Sequence, residues 1–307
     1  MEQTRHDIET IVQAVLKELG GTPGAPGVSA GVARGGQGAS GEGGLVIDLD
    51  DPTTAEARQE IGVRNPVDVE GLKNLKATTG ARVGAGRAGS RPRTRSLLLF
   101  QADHGVTQDA IYSDVPQDVL DSMGLFAVQT RVENRQQYLM RPDLGRELSD
   151  EAKAVVAEKC AKNPQVQIVV GDGLSAAAIN NNAPEILPVI QQGLKSAGIS
   201  SGTPFFVKYA RVGVINSVNS VVGADVVIIL IGERPGLGVA DAMSAYMGWK
   251  PAKGKTDGER DAFCMITTQG GTNPLEAGAY IVEQVKKYLQ YQASGVDLRM
   301  KISGDQG

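Results

Sequence analysis

The chain has 307 residues, of which 41% are hydrophobic and 21% are charged, a composition typical of soluble globular proteins. Its formal net charge of −4 argues against a general nucleic-acid-binding protein, since such proteins usually carry a basic excess. The longest aliphatic run covers six residues, 226–231, whereas a membrane span needs roughly 20, so no membrane span is expected. The two cysteines, Cys160 and Cys264, lie far apart and form no C-x-x-C motif. They predict neither disulfides nor a zinc site, and they fit a reducing cytoplasm.

The first 44 residues predict an arm rather than a domain. Residues 7–19 carry apolar side chains at the spacing of one helical face and polar side chains on the other. Residues 20–44 include 11 glycines among 25 residues and predict a flexible linker. Two interpretations of the amphipathic helix stay open, because it can dock on its own domain or bind another protein, such as a shell or scaffold protein. It is not expected to be a secretory signal, since it lacks a basic start and an apolar core segment.

Residues 45–148 predict a mixed, partly helical region, with helices at 53–61 and 67–76. Asp103 and His104 resemble an acid–base pair at the end of an apolar run. A histidine that caps a helix end is the expected explanation, because a cation there interacts favourably with the helix dipole.

Seven basic residues and no acidic residue fall between positions 73 and 101, which we call the basic segment. They are Lys73, Lys76, Arg82, Arg87, Arg91, Arg93 and Arg95. The Gly-x-Gly-x-x-Gly run at 84–89 is a weak dinucleotide motif, because Pro92 interrupts any helix that would open there. An anion-binding loop, a loop that docks on a partner and a solvated basic loop are the alternatives.

Residues 149–307 predict an α/β domain. Strands alternate with helices, which indicates a Rossmann-like parallel sheet with helices on both faces. The predicted strands are 166–170, 205–209, 225–231 and 263–266, and the predicted helices are 149–163, 187–197, 215–222 and 274–291.

Glycine-rich turns with single polar residues follow three of these strands, at the edge where such sheets bind ligands. Asp172, Arg211 and Glu233 are therefore expected to point into one crevice. This half has no histidine, no G-x-S-x-G elbow and no P-loop motif. Cys264 lacks a histidine that could activate it, so a buried structural cysteine is the favoured interpretation. The residues indicate a site that holds a ligand, with no catalytic residue and no metal ligand assigned.

Several longer motifs occur in one order along residues 45–302. They are GRAGSRPRT at 86–94, RPDLGR at 141–146, DGLS at 172–175, FFVKYARV at 205–212, GERPGLG at 232–238 and QGGT at 269–272. Together they resemble the small subunit of ethanolamine ammonia-lyase. The family pattern usually has proline at Ser90 and glycine at Ala210, and both departures are small.

The resemblance implies one subunit of a carbon–nitrogen lyase that uses adenosylcobalamin to convert ethanolamine to acetaldehyde and ammonia. In this family the large subunit holds the substrate, and the small subunit covers the cobalamin at the interface of the hetero-oligomer. The positions that match cobalamin contacts of the family are Val212, Glu233 and Cys264. Cobalamin is expected to keep its own base on cobalt, since the sequence has no D-x-H-x-x-G motif.

The resemblance also implies a place in the bacterial cytoplasm, inside an ethanolamine-utilisation microcompartment. The helix at 7–19 is then expected to bind a shell or scaffold protein, and the basic segment is expected to dock on the large subunit. Two alternatives come from other classes: a nucleotide-binding oxidoreductase built on the parallel sheet, and a non-catalytic microcompartment adaptor.

Overall fold

A computed structural model describes residue 51 and residues 53–304. These residues separate into two compact units, 51–102 and 103–304. The predicted division into an arm (1–44), a mixed region (45–148) and an α/β domain (149–307) stays a prediction. The amphipathic helix predicted at 7–19 lies outside the described residues.

The first unit contains the two helices that the sequence predicts in this part of the chain, with shorter bounds. Helix α1 is Ala55–Gln59 and helix α2 is Val69–Ala77. Each begins after a side-chain cap, because the Thr54 and Asp68 side chains accept hydrogen bonds from backbone N–H groups of the first turn. A two-residue hairpin follows, with strands β1 (Arg87–Ala88) and β2 (Arg91–Pro92).

The basic segment includes the second half of α2, this hairpin and the start of the helix that follows the hairpin. Arg87 donates a 2.6 Å hydrogen bond to the Ser90 carbonyl, and Arg93 donates a 3.2 Å hydrogen bond to the Arg87 carbonyl. The Gly-x-Gly-x-x-Gly run at 84–89 thus leads into a hairpin. A dinucleotide-binding motif would instead open a helix. The docking role of the segment stays a prediction.

Helix α3 (Thr94–Tyr112) corrects the expectation for Asp103 and His104. Both residues lie in the middle of this 19-residue helix, so His104 caps no helix end. The Asp103 side chain is buried and His104 is exposed, because consecutive helical residues point in directions about 100° apart.

The second unit is built on one sheet. Among the described residues its strands are β3 (Phe126–Gln129), β4 (Val166–Gly171), β5 (Phe205–Lys208), β6 (Val226–Gly232), β7 (Met243–Trp249) and β8 (Arg260–Ile266). Their order is β3-β5-β4-β6-β7-β8. The four strands from β3 to β6 pair in parallel, whereas β7 is antiparallel to both β6 and β8.

This architecture confirms the predicted α/β class, with two differences in the strands. The sequence predicts no strand at 126–129 or 243–249, and the structure has one at each place. Strand β7 returns the chain across the sheet, so β8 runs in the same direction as β6. The carboxyl end of β8 therefore reaches the same edge as the carboxyl ends of the parallel strands.

Helices cover both faces of the sheet, as predicted. They are α4 (Gln117–Ser122), α5 (Arg135–Met140), α6 (Asp150–Lys159), α7 (Ala176–Ser196), α8 (Val214–Val222), α9 (Pro274–Tyr291) and α10 (Gly295–Gly304). Helices α7 and α9 bury their apolar faces on one side of the sheet, against the even-numbered residues of β6. Helices α6 and α8 pack on the other side, against the odd-numbered residues of β6. Within the described part of the chain, no helix is both long enough and apolar enough to cross a membrane.

Helix α7 begins 11 residues before the predicted start at 187 and runs through Pro184 and Pro188. Proline usually breaks a helix, because it lacks an N–H group and its ring crowds the preceding turn. Here the buried side chains of α7, among them Ile179, Ile186 and Ile190, pack in the main core. This burial outweighs the local cost of the two prolines.

Helices α7 and α9 approach closely at Gly193, and this contact gives a stability prediction. A Cβ added at Gly193 would lie 2.7 Å from the Cγ2 atom of Val282. Gly193→Ala should therefore lower the free energy of unfolding by about 1–3 kcal/mol in urea titrations. The control is Gly105→Ala in α3, where an added Cβ meets nothing within 4 Å. The control should gain about 0.5–1 kcal/mol from helix propensity, and equal effects of both substitutions would contradict the packing argument.

Candidate functional site

Four loops gather at the carboxyl edge of the sheet, after β4, β5, β6 and β8. We call 209–213 the β5 loop and 233–242 the β6 loop. The turns after β4 and β6 approach so closely that a Cβ at Gly173 would meet the Gly232 carbonyl, and one at Gly232 would meet the Ser175 carbonyl. Glycine at these two positions therefore lets the loops meet at one place.

Asp172 does not point into an open crevice, which corrects the sequence-based expectation. Its side chain is fully buried between the ends of β4 and β5. The two carboxylate oxygens accept hydrogen bonds of 2.9 Å each from the backbone N–H groups of Tyr209 and Ala210. Tyr209 has a φ of 58°, a left-handed conformation that is uncommon for residues other than glycine. The carboxylate thus holds the start of the β5 loop in this conformation.

Arg135 of α5 supplies the positive charge next to this buried carboxylate. Its Nη2 atom lies 3.7 Å from Asp172 Oδ2 and donates a 3.1 Å hydrogen bond to the Ser113 carbonyl. Burial is the largest effect on Asp172 and raises the pKa of its carboxyl to about 6, although the backbone hydrogen bonds and Arg135 favour the charged form. Asp172 is therefore ionised at neutral pH and becomes protonated in mildly acidic solution.

Tyr138 holds the other side of the β5 loop. Its hydroxyl donates a 2.8 Å hydrogen bond to the Ala210 carbonyl, and its ring lies 4.1 Å from the guanidinium carbon of Arg211. The backbone N–H of Arg211 donates a 2.8 Å hydrogen bond to the Gly145 carbonyl. Every residue from Tyr209 to Arg211 is thus fixed by a named contact, and Val212 follows directly, half-buried at the end of the loop.

Glu233 opens the β6 loop and is partly exposed. Its carboxylate oxygen Oε1 accepts a 2.9 Å hydrogen bond from the Tyr246 hydroxyl. Burial, and then the Glu233 carboxylate and Cys264, raise the pKa of Tyr246, so its hydroxyl remains a donor at neutral pH. Tyr246 and Val212 pack against the same hydrophobic cluster, between α6, α8 and the sheet.

Cys264 is exposed, which corrects the interpretation of a buried structural cysteine; Cys160 is the buried one. The cause is the alternation of side chains along β8. Phe263 faces α9, where its ring stacks with that of Tyr280, so Ala262 and Cys264 face the opposite side and are exposed. Tyr246 therefore lies between two of the three predicted cofactor residues, Glu233 and Cys264, beside the exposed part of β8. Their role as cofactor contacts stays a prediction, as does that of Val212.

A second buried carboxylate ties the loops after β6 and β8 together, and sequence reasoning missed it. Asp241 accepts hydrogen bonds from the side chains of Asn181, Thr267 and Gln269. Gln269 belongs to the QGGT motif, but nothing in its spacing identifies Asp241 as a partner. Arg135, Tyr138 and Tyr246 were missed for the same reason, since each acts across a long sequence separation. Across residues 53–304, no cluster of histidine, cysteine or acidic side chains is suited to hold a metal ion.

The fold and the loop cluster define an α/β protein whose polar side chains gather at the carboxyl edge of a mostly parallel sheet. Residues 69–299 match the family described as ethanolamine ammonia-lyase light chain (EutC). The ethanolamine ammonia-lyase small subunit of Clostridium perfringens is 45% identical over 251 residues, which cover 82% of this chain and 85% of that protein. The chain therefore belongs to the ethanolamine ammonia-lyase light-chain family, and the resemblance carried by the motifs is confirmed.

The pKa of Asp172 predicts how stability depends on pH. Because the folded-state pKa of about 6 lies above the ordinary value of 3.8, the folded chain binds the proton more tightly than the unfolded chain. As the pH rises from 4 to 7, the wild type should therefore lose about 2.5 kcal/mol of stability relative to Asp172→Asn. Urea unfolding of both proteins across this range measures the difference. A difference that stays constant, or that grows in favour of the wild type as pH rises, would contradict the assigned pKa.

Proposed function

We propose that the chain is the small subunit of an adenosylcobalamin-dependent ethanolamine ammonia-lyase and that its carboxyl edge binds the cobalamin. The partner is the large subunit, which holds the substrate, so that the cofactor lies between the two chains. Membership of the light-chain family supports the enzyme class and the need for a partner. The observation that carries the cofactor assignment is the Glu233–Tyr246–Cys264 group beside the exposed part of β8.

The chemistry of these residues fits a cobalamin. The corrin ring has an apolar surface and a rim of amide side chains, whose N–H groups need acceptors. Tyr246 occupies one oxygen of the Glu233 carboxylate, which leaves the other oxygen as an acceptor for an amide N–H. Val212 offers apolar contact, and Cys264 offers a small, exposed side chain. These three residues would hold the cofactor rim without coordinating the cobalt.

The same edge supplies no acid–base machinery, so this chain's share of the reaction is binding and orientation. Within the described residues, Asp172 and Asp241 are the buried acids of this edge, and both are engaged by internal donors. When bound, adenosylcobalamin supplies the radical chemistry that converts ethanolamine to acetaldehyde and ammonia. The role of the small subunit is then to cover the cofactor and exclude water from one side of it.

Reconstitution tests this proposal. We expect ethanolamine deamination and tight adenosylcobalamin binding when this chain is mixed with its large subunit, and neither from this chain alone. Loss of the Glu233 charge should matter most for the cofactor, so Glu233→Gln in the complex should weaken adenosylcobalamin binding about tenfold. The control is Glu185→Gln, a substitution of an exposed carboxylate on α7, which should bind like the wild type.

Two results would overturn the proposal. One is a folded mixture of both chains that neither binds adenosylcobalamin nor deaminates ethanolamine. The other is a Glu233→Gln variant that binds the cofactor as tightly as Glu185→Gln. This result would mean that the carboxyl edge is not part of the cofactor site, even if the complex is active.

The amphipathic segment at 7–19 supports a further part of the proposal, encapsulation in a bacterial microcompartment. The sequence of this segment predicts a short helix with one apolar face before a glycine-rich linker, an arrangement that suits capture by a shell or scaffold protein. Deleting residues 1–20 should leave deamination by the complex unchanged and abolish co-purification with shells. A full-length chain with residues 7–19 replaced by a glycine–serine sequence controls for length, and shells that still retain the deleted chain would refute this role.

A further inference from the structure

The β5 loop is fixed more completely than an ordinary surface loop requires. In five residues, 209–213, it changes the chain direction from β5 to α8 and carries both Arg211 and Val212. Its first residue, Tyr209, is left-handed with a φ of 58°. A non-glycine residue keeps such a conformation only when its surroundings favour it. The surroundings are the carboxylate of Asp172 on one side and the hydroxyl of Tyr138 on the other.

Asp172 is the group that determines this conformation. It accepts two successive backbone N–H groups, from Tyr209 and Ala210, which would otherwise be buried without partners. In the observed geometry each N–H group has its own carboxylate oxygen, so an amide would place its NH2 group, itself a donor, against one of them. The ionised carboxylate leaves both oxygens free to accept, and Arg135 lies 3.7 Å away while it also pairs with Asp114 at 3.3 Å.

We propose that Asp172 is a positioning residue for the cofactor: its buried carboxylate fixes the β5 loop so that Arg211 and Val212 present their side chains at the carboxyl edge. This inference rests on the proposed function, since it assigns Val212 to the cofactor. Asp172 itself touches no ligand, because it is fully buried and both of its oxygens are engaged.

The other contacts of the β5 loop involve Arg211, which directly follows the two residues that Asp172 holds. Arg211 lies against the Tyr138 ring, and its Nη2 atom donates a 2.9 Å hydrogen bond to the Tyr138 carbonyl. A Cβ added at Gly145 would lie 2.7 Å from the Arg211 Cγ atom, so the loop packs tightly there as well. Release of the Tyr209 and Ala210 N–H groups would turn the backbone directly before Arg211 and Val212.

The proposal predicts a pH step in cofactor affinity. The charged and titratable groups that act on or face Asp172 are Arg135, Tyr138, Lys208 and Tyr209, and Asp114 pairs with both cations, at 3.3 Å and 2.9 Å. Lowering the pH through about 6 protonates Asp172, which removes one of the two acceptors and loosens the loop. Adenosylcobalamin binding to the complex should therefore be tightest above this pH and weaken below it.

The test measures the adenosylcobalamin dissociation constant of the complex with the large subunit, for wild type and Asp172→Asn, from pH 5 to pH 8. At pH 8 the variant should bind about tenfold more weakly, and at pH 5 the two should agree within about twofold. The matched control is Asp143→Asn, which removes an exposed carboxylate and should follow the wild type at every pH. A role confined to stability would lower the melting temperature of the variant but leave the affinity and pH step of the folded complex unchanged, and this result would overturn the proposal.

Tyr138→Phe gives a second test that does not depend on the folding of Asp172→Asn. It removes the hydroxyl that donates to the Ala210 carbonyl and keeps the ring under Arg211. Binding at pH 8 should weaken about threefold and the pH step should remain, whereas unchanged affinity would count against the positioning of the loop. If Glu233→Gln weakens cobalamin binding and both of these variants do not, this inference fails and the proposed function stands.

Discussion

The carboxyl edge depends on one buried charge, the carboxylate of Asp172. A charge in a protein interior is costly unless hydrogen bonds and an opposite charge compensate it. Here two backbone N–H groups of the β5 loop and the guanidinium of Arg135 compensate part of that cost, and the raised pKa of Asp172 reflects the remainder. The same contacts close the gap between the ends of β4 and β5, where the connections leave for opposite faces of the sheet. In parallel α/β sheets this gap is the usual place for a ligand. In this chain it is filled by the protein itself, and the surface available for a ligand shifts toward β6, β7 and β8.

The antiparallel strands β7 and β8 determine what that surface is made of. Helix α9 packs against one face of these strands, and α8 covers the opposite face near the amino end of β8, where Asn216 accepts a hydrogen bond from Arg260. The other face keeps Ala262 and Cys264 exposed, with Tyr246 and Glu233 beside them. This exposed part of β8, with an ordered carboxylate beside it, is the surface that the proposed cofactor and large subunit would cover.

Local signals were sufficient for much of the fold. The cap at Ser149, the aliphatic runs of β4 and β6, and the proline at the start of α9 each predict an element near its observed place. The misses have physical causes. Helix α7 passes through two prolines because its apolar face is buried on the sheet, and β7 has a composition that is ordinary for a helix or a loop. The candidate site divides in the same way. Family motifs point to Val212, Glu233 and Cys264. The residues that orient the site, Arg135, Tyr138 and Tyr246, contact partners that lie 13 to 73 positions away in the sequence, so they leave no local pattern.

We propose that the cofactor and the large subunit together cover the exposed part of β8. Cys264 reports on this directly, because its thiol is exposed while that of Cys160 is buried and serves as an internal control. The measurement is the rate of alkylation of each cysteine, followed by mass spectrometry, for the chain alone and for its complex with the large subunit and adenosylcobalamin. The account predicts rapid labelling of Cys264 in the isolated chain and strong protection in the loaded complex, with Cys160 slow in both. Equal labelling of Cys264 in the isolated chain and in an active, cobalamin-loaded complex would contradict it.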